Sequence, residues 1–334
     1  SYIGGHPRLL TKAEQLRQQA RQDAMPALFL HGGDAFKGSA YFELFEQRIN
    51  IDILNRMNID AMALGNHEFD IGLAKLADFI DKVNFPVLAA NVDTSNEPLL
   101  ANSENLTPYR LFALENNQLT AIGSVGAATG RELVAVLGLA LEDMRAISPD
   151  TGALVFDSEV AGAQRTVDSL QQQGIKHIIA LTHLGHQRDL ALAAAVNGID
   201  AIVGGHSHSL LGDFRHWYLG QQRPYAELVP NPDGTGRTCV VQAGQFAQAV
   251  GQAELSFNRA GQLTACAGGN TLLAGRDYFS SALRSENSRI DSQAQQATAR
   301  FVASLPGTAV VDEDKALRAV LDSHYLPAVR EAYG

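Results

Sequence analysis

The chain has 334 residues, 46% hydrophobic and 19% charged, the balance of an ordinary globular protein with core enough for one large domain or two small ones. Its net charge of −10 argues against nucleic acid as a main partner, because phosphate contacts need clustered Lys and Arg. No apolar run is long enough to cross a bilayer, so no transmembrane segment is expected.

The first two-thirds alternate helix and strand patterns. Leu9 to Asp23 has helical periodicity, and the strand Ala27–Leu30 follows. Ala40 to Asn55 reads as one helix, Ala61–Leu64 as a strand, Leu73–Val83 as a helix and Pro86–Ala90 as a strand. Leu119–Val125 is another strand. Glu159 to Gly174 is an amphipathic helix ended by Gly. The strand His177–Leu181, an Ala-rich helix Asp189–Val196 and the strand Ala201–Val203 complete the alternation.

After Gly212 the pattern changes to hairpin-forming strands at Cys239–Ala243 and Ala249–Phe257, with turns at Asn231–Gly236 and Asn258–Gly261. From Ser281 onward the chain is expected to be helical. The division expected is a catalytic domain over 1–275 and a helical extension over 276–334. Cys239 and Cys266 leave a disulfide and two separate buried thiols both open. No signal peptide reads at Ser1, and the chain opens without Met, as a processed or shortened chain would.

Four strand ends deliver side chains of the metal-ligating type. Asp34 follows Pro26–Leu30, Asn66 follows Ile59–Leu64, His183 follows Ile178–Thr182, and His206 with His208 follows Ile199–Gly205. Open α/β sheets place their sites in the crevice beyond such ends. Carboxylate and amide oxygens with imidazole nitrogens suit a divalent cation, and a pair of cations needs a bridging carboxylate, for which Asp34 is placed. His206 and His208 are two apart, so an extended segment would point both to one side. His67 adjoins Asn66 and has Asp70 within reach, which suits a phosphate-facing imidazole oriented by a carboxylate. His6 and His31 read as structural. Asp189 reads as a helix N-cap and His186 as a surface residue. Trp217, Tyr218 and Tyr225 read as loop cover rather than a base-stacking surface.

Gly33-Asp34, Gly65-Asn66-His67-Glu68, Thr182-His183 and Gly205-His206-Ser207-His208 resemble the successive motifs of the calcineurin-like metallophosphoesterases. The longer forms Gly65–Asp70 and Gly204–His208 are similar to the branch holding 5′-nucleotidases, UDP-sugar hydrolases and 2′,3′-cyclic-nucleotide phosphodiesterases. The resemblance implies an α/β fold of four layers, α/β/β/α, with a C-terminal helical extension. It implies two divalent metal ions (Zn, Mn, Fe or Co) on Asp34, Asn66, His183, His206 and His208. It further implies His67 and Asp70 in catalysis, nucleotide phosphoester hydrolysis by metal-activated hydroxide, and a periplasmic or extracellular location. UDP-sugar or dinucleotide cleavage, cyclic-nucleotide hydrolysis and a non-catalytic binding module are the alternatives. Family members begin with an Asp-x-His strand, which Ser1–His6 does not match, so that motif is expected upstream of Ser1. A C-terminal substrate domain is expected beyond Gly334.

Overall fold

The computed structural model describes residues 3–128, 130–281 and 288–333. Ser1 and Tyr2 lie outside these, and His6 opens a helix, His6–Gln22, rather than following a strand.

Among the described residues, the short strands Leu30–His31, Ala61–Ala63, Val87–Leu88 and Leu106–Thr107 form a four-stranded parallel sheet in that order. A seven-stranded sheet runs Glu227–Pro230, Arg237–Gln242, Ala201–Gly204, His177–Thr182, Leu133–Leu139, Tyr109–Glu115 and Gln118–Ile122. Its central pairs are parallel and its outer pairs antiparallel.

Strand alternation decides what lies between the sheets. Ala61 and Ala63 from the smaller sheet meet Phe112, Val136 and Leu181 from the larger one, all buried. Their neighbours Met62, Leu137, Ile178 and Ala180 turn to the opposite faces and join a core made with helices. Helices Gln47–Asn55 and Leu73–Lys82 supply Leu54, Leu76, Phe79 and Ile80 to it. Helices Glu159–Gln172 and His186–Ala195 supply Ala163, Val167, Leu170 and Leu192. The result is the expected helix–sheet–sheet–helix sandwich.

Several boundaries differ from expectation. The pattern over Ala40 to Asn55 is broken at Glu46, which takes a left-handed φ of 51° and splits it into Ala40–Phe45 and Gln47–Asn55. Cys239–Ala243 does not pair with Ala249–Phe257. Arg237–Gln242 turns back instead on Glu227–Pro230 and joins the large sheet, while Ala249–Phe257 pairs with Leu263–Ala274. Cys239 and Cys266 are disulfide-bonded, which ties the large sheet to that hairpin. The segment after 275 is not purely helical, because Thr308–Val310 runs as a strand parallel to Leu272–Ala274. Its last helices pack back on the first half of the chain. The Tyr325 hydroxyl donates to Asp52 at 2.9 Å, and its ring meets Phe45 edge-on. The indole N–H of Trp217 donates to Thr308 at 2.9 Å, whereas Tyr218 is 98% exposed. Tyr225 packs half-buried against Cys239 and Val241.

At the end of the large sheet remote from the ligand-bearing loops, His177 sits between two carboxylates. Its Nε2 lies 3.1 Å from Glu132 and its Nδ1 3.6 Å from Asp200. Asp200 chiefly, and Glu132 after it, raise the His177 pKa against the effect of burial. A raised histidine pKa adds stability below pH about 6.5, lost as pH rises through the folded value. His177→Gln is therefore expected to lower Tm by about 2 °C at pH 5.5 and by much less at pH 9. Melting curves at the two pH values check this, and an equal loss at both would mean that only packing against Phe257 is lost.

Candidate active site

Each candidate ligand sits on a loop leaving the C-terminal end of a parallel strand. Asp34 follows Leu30–His31 and Asn66 follows Ala61–Ala63, both from the smaller sheet. His183 follows His177–Thr182 and His206 follows Ala201–Gly204, both from the larger one. Gly33 makes the first approach feasible. Its φ is 89°, and a Cβ there would lie 2.6 Å from the His183 ring nitrogen.

One ligand atom each from Asp34, His183 and His206 lie within 4.8 Å of one another. His183 Nε2 stands 3.1 Å from Asp34 Oδ2 and 3.1 Å from Asn66 Oδ1. His206 Nδ1 stands 2.9 Å from the same amide oxygen. The other nitrogen of His183 lies 2.6 Å from the Gly32 carbonyl, so it must donate there. In the neutral ring Nε2 then holds a lone pair aimed at two oxygens, which repels unless a proton or a cation lies between. That donor set fits a divalent ion of the borderline class. Without an ion the proton is the alternative. Burial lowers the His183 pKa, but Asp34 outweighs it and the net direction is upward. Asp34 moves the other way, because its bond to His183 and the backbone N–H of His67 outweigh burial.

The imidazole of His67 forms a separate dyad beside this group. Its Nδ1 pairs with Asp70 at 2.8 Å, and its backbone N–H donates to Asp34 Oδ1 at 2.9 Å. Its Nε2 is left unengaged by that pairing. Lys37 comes within 3.5 Å of Asp70 and is mostly exposed.

His208 is not brought into the group. The segment is not extended: His206 and His208 have φ of 68° and 56°, so the two-residue alternation argument fails there. The His208 ring is exposed and lies 6.3 Å from Phe246. His31 accepts the N–H of Gly33 at 3.1 Å, and burial pushes its pKa down to about 4. Two minor expectations are corrected. The N-cap of helix His186–Ala195 is Gly185, so Asp189 lies inside the first turn, fully buried, accepting the Thr182 hydroxyl at 2.6 Å. Burial pushes its pKa up to about 7. His186 is not at the surface: it is 4% exposed, with Glu227 3.8 Å from Nε2.

Sequence reasoning passed over Glu68. Its buried carboxylate accepts the backbone N–H groups of Gly65, Asp34, Ala35 and Phe36 at 2.6–3.3 Å. It thereby fixes the Asp34 loop to the Asn66 loop. A Glu inside an apolar-flanked motif was the available signal, since an acid so placed must find several donors.

The profile of the calcineurin-like phosphoesterases matches residues 3–210. The chain belongs to that family. Among curated relatives it is 34% identical over 277 residues to the trifunctional nucleotide phosphoesterase YfkN of Bacillus subtilis, covering 78% of this chain and 18% of that one. It is 32% identical over 280 residues to the 5′-nucleotidase of Bos taurus, covering 81% and 44%. The solved 5′-nucleotidase precursor of Thermus thermophilus is similar over 99% of this chain and 54% of its own, with a TM-score of 0.76 and 31% identity. The NAD nucleotidase of Haemophilus influenzae is similar over 98% and 61%, with a TM-score of 0.83 and 26% identity. This calcineurin-like chain thus matches 18% and 44% of the length of the two curated relatives.

Proposed function

We propose that this chain carries the catalytic unit of a metal-dependent phosphoesterase that hydrolyses nucleotide phosphoesters in the manner of a 5′-nucleotidase. The observation that carries this is the convergence of Asp34, Asn66, His183 and His206 lone pairs beside the His67–Asp70 dyad. The 5′-nucleotidase relatives support the substrate class. The catalytic unit is assigned to residues up to about 275.

Asp34, Asn66, His183 and His206 would hold divalent ions, two by family type, with His208 completing the set after a local move. Bound ions would supply Lewis-acid charge stabilisation and lower the pKa of water. The chain's own residues do the rest. Asp34 presents one oxygen to the ion group and uses the other to fix the His67 backbone. Asp70 pairs with Nδ1 of His67, so in the imidazolium form the Nε2–H is free to donate to a phosphoryl oxygen or to give its proton to the leaving oxygen. Glu68 keeps the two loops in register. A nucleotide brings its phosphate to this pole and its base to a more distant surface.

His67→Ala is expected to keep the bound metal and lower kcat by about 10²–10⁴. Elemental analysis and phosphate release from AMP on the full-length protein test it. Loss of metal in parallel with activity would make His67 a ligand instead. A second reading, cleavage of a dinucleotide, is favoured by the likeness to an NAD nucleotidase. A panel of AMP, NAD, a UDP-sugar and 2′,3′-cyclic AMP separates these, and turnover of none by metal-loaded protein would favour a non-catalytic binding module. The Cys239–Cys266 disulfide supports a periplasmic or extracellular location.

A further inference from the structure

We propose that Gln242 is a positioning residue whose buried amide sets the loop that presents His206 to the ion group. This rests on the metal reading above. Gln242 ends the strand Arg237–Gln242, in register with Gly204 on the neighbouring strand, and is 2% exposed. Its Nε2 donates to the Gly205 carbonyl at 2.5 Å. Its Oε1 accepts the Ser207 hydroxyl at 2.9 Å and the Ser209 backbone N–H at 2.5 Å. The three contacts fall on residues 205, 207 and 209, so they bracket both histidines.

The bracketed residues need holding. His206 and His208 are non-glycine residues in left-handed backbone, with φ of 68° and 56°. Each such residue costs on the order of 1 kcal/mol and persists only where its surroundings impose it. Gln242 imposes it from beneath. From the side, the Ser207 hydroxyl accepts the backbone N–H of His186 at 3.0 Å. Gln242 is itself anchored, since its backbone carbonyl accepts the Asn270 amide at 2.8 Å.

The chemistry selects an amide. Gly205 presents a carbonyl and needs a donor, while Ser209 presents an N–H and needs an acceptor. A carboxylate would set oxygen against the Gly205 carbonyl. A thioether of the same length would satisfy neither. The side-chain hydrogen bonds of Gln242 fall on Gly205, Ser207 and Ser209, so its influence passes through the loop. Removing such a supporting partner typically weakens metal binding about 10–100-fold.

The test is calorimetric titration of the full chain with Zn²⁺, well below each variant's Tm. Gln242→Met and Gln242→Glu are compared with Thr238→Val on the same strand, which removes a buried hydrogen bond to the Ile199 backbone carbonyl without touching residues 205–209. The expected result is Zn²⁺ affinity about 10–100-fold weaker for Gln242→Met and a smaller loss for Gln242→Glu. Thr238→Val should lower Tm and keep the wild-type affinity. Folded Gln242→Met binding within twofold of wild type would overturn the proposal, as would an equal loss in Thr238→Val. If Gln242→Met does not fold, Gln242→Glu decides by the same criterion. A wild-type chain that takes up no Zn²⁺ would overturn the underlying metal reading first, and this role with it.

Discussion

Asp34→Ala is expected to remove metal binding and hydrolysis together, with turnover falling by about 10³ or more, or at least ~4 kcal/mol in the barrier. The carboxylate has two separate tasks. Oδ2 faces His183, and Oδ1 receives the His67 N–H. Alanine deletes both and leaves His183 without its counter-charge. Asp34→Asn keeps the shape and the His67 contact but removes the negative charge, so it should bind metal poorly while folding normally. Bound metal by elemental analysis and phosphate release on the full-length protein check both variants. Metal-dependent turnover near wild type in Asp34→Ala would remove the bridging role from this residue.

Gly138→Ala is expected to give the largest loss of stability of any one-carbon change considered. Gly138 lies on Leu133–Leu139 of the large sheet, against Leu88 of the smaller one. A Cβ there would sit 2.2 Å from the Leu88 carbonyl carbon and oxygen. Those are backbone atoms of a buried strand, and Ala90 N–H already bonds the Gly138 carbonyl at 2.7 Å. No rotamer change relieves the contact, so the strands must separate. Overpacking of a tight core costs about 1–3 kcal/mol, occasionally more, and this site belongs at the upper end. Urea unfolding would report it as a lower midpoint at unchanged slope. A midpoint equal to wild type would show that the sheets can part without penalty.

The ends of the parallel strands were legible because a polar side chain after an apolar run has little reason to be there unless it binds something. That argument placed Asp34, Asn66, His183 and His206 together, and Asp70 beside His67. Its premise that His206 and His208 share one side of an extended segment fails, because the chain turns left-handed at both. Histidine adopts left-handed backbone more readily than most residues, but its presence alone does not announce such a turn. The strands Tyr109–Glu115 and Leu133–Leu139 carry no expectation from the sequence. The second is a nearly unbroken apolar run, which periodicity cannot separate from a buried helix. The break at Glu46 was invisible for the opposite reason, since the helical pattern runs straight through it. Gln242 and Glu68 were hidden because their meaning lies in partners far along the chain, which spacing alone does not show.

The ligand-bearing loops divide evenly between two sheets that pack on each other through apolar side chains. The proposed ion, shared among them, would therefore also be a rivet across the sandwich. Its proposed ligands span positions 34 to 206, so the site would close only after the two sheets have come together. Folding would come first and loading last, and a chelator would act as a mild denaturant as well as an inhibitor. Ligand linkage sets the scale: an ion present at 100 times its Kd adds about 2.7 kcal/mol to the folded state.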